Sequence, residues 1–101
     1  MTIAGFQELM RATYGERDRA RGPDATFRWL VEEVGELARA MRDGDPDRLA
    51  AEAGDVLAWL ASLADQLEVD LSAAAARYAS GCPRCGQHPC ECATGARDRA
   101  G

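Results

Sequence analysis

The chain has 101 residues, room for one domain and no more. Hydrophobic residues make up 47 % and aromatic residues 6 %, with Ala and Leu dominating, which favours helices over sheets. Net charge is −5 and every basic residue is Arg, so the broad basic face that duplex nucleic acid demands is excluded; a single nucleotide held through a metal is not.

In chain order, Ile3 to Tyr14 reads as a short helix with Phe6, Leu9, Met10 and Thr13 at helical spacing. The opening residues lack a charged region followed by an apolar run, so no signal peptide is evident. No apolar run approaches the roughly 20 residues of a membrane span. A cytoplasmic protein without membrane association is expected. Gly15 to Gly22 is a charged stretch, GERDRARG, read as a connection. A second helix starts at Pro23 or Asp24 and stops at Gly44. Asp45-Pro46 caps and opens a third, which is expected to run to about Glu68. Asp70 caps a fourth over Leu71 to Ser80, ended by Gly81. The architecture expected is all-α, an antiparallel bundle of about four helices with short connections. Its two long amphipathic helices leave apolar area that another copy would bury, so a homo-oligomer, dimer or tetramer, is expected.

On the second helix, Phe27, Leu30, Val31, Val34, Leu37, Ala38 and Met41 form one apolar stripe. Glu33 and Glu36 are surface neighbours along one margin of it, with Trp29 one turn before Glu33. The third helix repeats the design. Its stripe comprises Leu49, Ala53, Val56, Leu57, Leu60, Leu63, Ala64 and Leu67; Glu52 and Asp55 share one margin and Trp59 follows one turn later. If the stripes pack together, up to four carboxylates gather at one edge, with no Lys to neutralise them. Half-buried like charges are costly unless compensated, and a hard cation such as Mg²⁺ compensates them well. A solvated acidic face explains a single pair better than a site does; two pairs on consecutive helices, each beside a Trp, point to a site. Glu32 is rotated away and can pair with Arg28 one turn earlier. The tryptophans suit core or interface packing as well as contact with a nucleobase.

The run Leu30-Val31-Glu32-Glu33-Val34-Gly35-Glu36-Leu37, followed by Ala51-Glu52-Ala53-Gly54-Asp55-Val56-Leu57, resembles the EExxE…ExxD signature of MazG-like pyrophosphohydrolases. The resemblance covers roughly Phe6 to Ala79. It implies an all-α bundle whose core two chains commonly build together. It also implies Mg²⁺-dependent hydrolysis of a nucleoside or deoxynucleoside triphosphate to the monophosphate and pyrophosphate. By motif position, Glu33, Glu36, Glu52 and Asp55 carry over as Mg²⁺ ligands, and Glu32 as a base or an outer-sphere residue. A free carboxylate oxygen on Glu32 or Glu33 can take the proton of the attacking water. Arg17, Arg19 and Arg21 are the cluster available to the phosphates, and a solvated loop explains them equally well. Two other functions compete: phosphoribosyl-ATP pyrophosphohydrolase, which shares the carboxylate plan, and a non-catalytic helical interaction module.

The tail lies outside the resemblance, dividing the chain into a helical domain, 1–80, and a Cys-rich segment, 81–101. All four cysteines fall between Cys82 and Cys92, and in a reducing compartment they read as metal ligands rather than disulfides. Cys82-Pro83-Arg84-Cys85-Gly86 looks like half a zinc knuckle, and Cys90 and Cys92 complete a tetrahedral set, with His88 a substitute for either. Soft thiolates favour Zn²⁺, in a structural role; four free thiols are the alternative. The residues after Cys92 are expected to be disordered.

Overall fold

The structure, a computed structural model, describes residues 1–93; the disorder expected for the C-terminal segment falls from Thr94 onward on residues outside that range. Four α-helices run in order: α1 (Ile3–Arg21), α2 (Pro23–Asp43), α3 (Pro46–Gln66) and α4 (Leu71–Ala75), the last continued by one 3₁₀ turn (Ala76–Tyr78). No strand occurs among the described residues, and no helix among them is long and apolar enough to cross a membrane. The chain divides into two compact units, one of Met1–Leu71 and one beginning at Ser72.

Local chemistry sets the helix ends. The Thr2 hydroxyl accepts from the Gly5 N–H at 2.9 Å and starts α1. Gly44, at φ +72°, takes the left-handed conformation that closes α2, its N–H bonded to the Ala40 carbonyl at 3.0 Å. Asp45 caps α3 by accepting from the Asp47 N–H at 3.0 Å, with Pro46 in the first turn. The two residues between α2 and α3 fold α3 back along α2, and these two helices share the largest contact in the unit. α1 packs mainly on α3.

Three expected boundaries differ. α1 runs through Gly15 to Arg21 rather than stopping at Tyr14. Gly15 is buried, and the Arg, Ala and Glu residues around it are good helix formers, so one glycine's cost of about 1 kcal/mol does not break the element. The break falls at Gly22 instead, at φ +88°. α3 ends at Gln66, two residues before Glu68, which itself sits at φ +58°. α4 is shorter than Leu71 to Ser80 and tightens into the 3₁₀ turn.

The first unit's enclosed interior is small. Ala40, Ala61 and Ala64 are its buried apolar residues, beside the buried polar Gln7, Asp18, Thr26 and Ser62. Both ends of the Gln7 amide are bonded: its Nε2 donates to the Val69 carbonyl at 2.7 Å, and its Oε1 accepts from the Leu71 N–H at 2.9 Å. The apolar stripe of α2 is largely open, with Phe27, Val31, Val34 and Met41 each half-exposed or more; Leu57 and Leu60 of α3 are exposed as well.

Candidate active site

Glu33 of α2 and Glu52 and Asp55 of α3 each place one carboxylate oxygen within 4.8 Å of the other two. The packing of α3 back along α2 brings these margins together, although much of the α2 stripe and Leu57 and Leu60 of α3 stay exposed. Glu33 and Glu52 are partly buried and Asp55 is open to solvent. Burial, then the charges of Asp55 and Glu52, a hydrogen bond with Glu52 and the charge of Glu36 all hold the Glu33 carboxyl above its ordinary value. Glu52 Oε2 is buried and has no hydrogen-bond partner among the described residues. A buried acceptor without a donor, set among like charges, is unfavourable. Carboxylate oxygens from three residues are the donors that a hard divalent ion takes. The residues present therefore fit Mg²⁺.

Glu36 stands apart from this trio. Arg39, one turn on, hydrogen-bonds to its carboxylate, and Arg48 of α3 lies 3.8 Å from its other oxygen. The Arg39 hydrogen bond, against a smaller effect of burial, holds Glu36 below its ordinary value. Arg48 also bonds Asp43. Glu32 is exposed and lines a shallow depression with Ala25, Arg28 and Trp29.

Beside the carboxylates, α1 and α3 enclose a cleft of about 250 Å³, lined by Tyr14, Arg17, Asp18, Arg21, Asp55, Ala58, Trp59 and Ser62. Asp55 belongs to both the cleft and the trio. Of the three arginines in the charged stretch, Arg17 and Arg21 face this cleft. Arg19 does not line it; its guanidinium lies against Gly15. Because the stretch is helical, residues 14, 17, 18 and 21 share one face, and 19 is rotated off it.

Arg21 is held from several sides. Its Nη1 donates to Asp18 Oδ1 at 2.8 Å and to the Thr26 hydroxyl at 3.2 Å, and its guanidinium lies 4.8 Å from the Trp59 ring centroid. Trp29 and Trp59 stack across α2 and α3 with centroids 6.0 Å apart and planes 18° apart. The tryptophans thus pack on each other between the helices, and Trp59 also forms part of the cleft wall. Tyr14, Asp18 and Ser62 escaped the sequence reading. The signal was present in the i, i+3, i+4, i+7 spacing of 14, 17, 18 and 21, hidden by treating Gly15 as a stop.

In the second unit the sulfurs of Cys82, Cys85, Cys90 and Cys92 all lie within 4.8 Å of one another, and all four are free thiols. Backbone hydrogen bonds from Cys85 and Arg84 hold the Cys82 thiol down at about 6, those from Glu91 and Gln87 lower Cys85, and the surrounding thiols push Cys92 up to about 12. His88 is not part of the group.

The family model of the MazG nucleotide pyrophosphohydrolase domain matches residues 21–82, more than half of the chain. The chain belongs to the MazG nucleotide pyrophosphohydrolase family. The match spans both carboxylate helices of this MazG domain. It supports a nucleotide pyrophosphohydrolase, of a family generally dependent on divalent metal. A comparison with curated proteins finds no match to this MazG chain.

Proposed function

We propose that the protein hydrolyses a nucleoside or deoxynucleoside triphosphate to the monophosphate and pyrophosphate, with Mg²⁺ held by Glu33, Glu52 and Asp55. The observation that carries this reading is the three-carboxylate group with its unpartnered Glu52 oxygen, sharing Asp55 with an arginine-lined cleft. Mg²⁺, when bound, neutralises phosphate charge and makes a coordinated water more acidic. Glu36 is the fourth candidate ligand, three residues from Glu33, in exchange for its contacts with Arg39 and Arg48. Arg17 and Arg21 receive the phosphates, Arg21 in a geometry already set by Asp18, Thr26 and Trp59. Glu33 or Glu32 accepts a proton from water as its oxygen attacks phosphorus. The new P–O bond forms as the bond to the leaving pyrophosphate breaks, and the electron pair departs on the pyrophosphate oxygen.

A second copy completes the fold in this proposal. Phe27, Val31, Val34 and Met41 lie on one face of α2 and are open to solvent, an apolar face that a second copy would bury. A two-fold dimer is the simplest closure. A reducing cytoplasm suits four free thiols held this close together.

Pyrophosphate release measured across all nucleoside and deoxynucleoside triphosphates and phosphoribosyl-ATP, with Mg²⁺ and with chelator, tests the reaction. Mg²⁺-dependent release from at least one of them is expected. Release only from phosphoribosyl-ATP assigns the related reaction of that substrate instead, and no release from any of them leaves the non-catalytic module. Light scattering tests the dimer: a mass of twice 10.9 kDa supports it, and a single 10.9 kDa species overturns it.

A further inference from the structure

The segment from Cys82 to Cys92 has the geometry of a closed metal site. Cys82 Sγ lies 3.7 Å from Cys92 Sγ, and Cys85 Sγ lies 4.0 Å from Cys90 Sγ. A tetrahedron of sulfurs at about 2.3 Å from Zn²⁺ has edges of about 3.8 Å, so the thiols already stand near the spacing such an ion imposes. The backbone is shaped to hold them there. Cys82 N–H donates to the Gln87 carbonyl at 2.9 Å, and Gly86 N–H donates to the Cys82 carbonyl at 2.7 Å. Gly86 sits at φ +72° to close that turn. Gly81, at φ +101°, leaves room for the Gln87 carbonyl, which would lie 2.6 Å from any Cβ placed there.

The sulfurs also accept from the backbone, Glu91 N–H to Cys85 at 3.4 Å and Cys92 N–H to Cys90 at 3.3 Å, as outer-sphere donors commonly do around metal thiolates. No residue from Cys82 to Ala93 is buried, so apolar packing gives this turn nothing to fold around.

We propose that Cys82, Cys85, Cys90 and Cys92 bind one Zn²⁺ per chain in a closed, structural four-thiolate site. Four sulfur ligands leave no open position for water or substrate, so the ion orders the segment and takes no part in hydrolysis. The proposal stands on the second unit's residues alone and is independent of the carboxylate site.

The test is the metal content of the full chain, purified under reducing conditions without chelator, alongside variants. One Zn²⁺ per chain is expected, falling by at least about five-fold in Cys82→Ser and in Cys90→Ser and unchanged in His88→Ala. Cobalt replacing zinc should give the intense thiolate-to-metal absorption of a tetrahedral sulfur site, absent from a variant with all four cysteines changed to Ser. Far-UV circular dichroism reports whether each variant keeps its helices. Protein free of zinc, iron in place of zinc, zinc retained by the four-Ser variant or zinc lost in His88→Ala would each overturn the proposal. Because zinc content is read without substrate, inactive protein that still binds zinc at the cysteines disproves only the hydrolase reading.

Discussion

The carboxylate edge of α2 and α3 and the cysteine turn after Gly81 are both clusters of acidic side chains, assembled by opposite means. Glu33 and the Glu52–Asp55 pair come from different helices and meet only because α3 packs back along α2. The cysteines come from one short segment, and two local turns bring them together. The first cluster has a scaffold independent of any ion and carries its repulsion as a cost. The second has no apolar scaffold. Removing a ligand should therefore relieve the fold in one region and unravel it in the other.

The largest effect expected is on turnover. Asp55→Asn and Glu52→Gln should each lower Mg²⁺-dependent hydrolysis by more than about 100-fold, beyond the loss usual for outer-sphere partners. Both should keep their helices and, without metal, melt no lower than the parent, since each removes one charge from a crowded trio. Glu36→Gln sharpens the contrast. It should also abolish turnover, but it loses the contacts with Arg39 and Arg48 and gains no stability. Wild-type turnover at saturating Mg²⁺ in any of the three would remove that residue from the ligand set.

Next is the cleft. Arg17→Ala and Arg21→Ala should raise KM by roughly ten-fold or more, the usual scale for losing a charged hydrogen bond, while Arg19→Ala leaves it unchanged. Arg21→Ala should also lower the melting temperature, because it strands the buried carboxylate of Asp18. Equal KM values for the Arg17 and Arg19 variants would argue against phosphate binding in this cleft.

In the cysteine turn the effect is local. Chelation should open the exposed Arg84–Cys85 bond to trypsin with little change in helical circular dichroism. Equal cleavage rates with and without chelator would contradict metal-dependent order there.

The smallest effect concerns α1. Gly15→Ala places a methyl 3.2 Å from Arg19 Nη1 and 3.6 Å from Arg11 Cγ, both on flexible side chains. Helical propensity then favours Ala by up to about 1 kcal/mol, so thermal melting should show equal or slightly higher stability. A clear loss would mean that the face of α1 at Gly15 is closed more tightly than these side chains suggest.

Much of this was legible in the residues themselves. The bounds of α2 and the start of α3 follow from Pro23, Gly44 and Asp45-Pro46, because capping is chemistry within a few residues. Period and ligand type placed Glu33, Glu52 and Asp55 on stripe margins and marked the cysteines as a soft set. Tertiary structure decided what spacing cannot. It chose three of four carboxylates to converge and left Glu36 with Arg39 and Arg48. It carried α1 through Gly15, because the buried residues Gly15 and Asp18 continue the packed face. It thereby turned a charged stretch into a cleft wall that includes Arg17 and Arg21 and omits Arg19. The physical reason is range: caps, period and donor type act over one turn of chain, whereas convergence of charges depends on how separate helices pack.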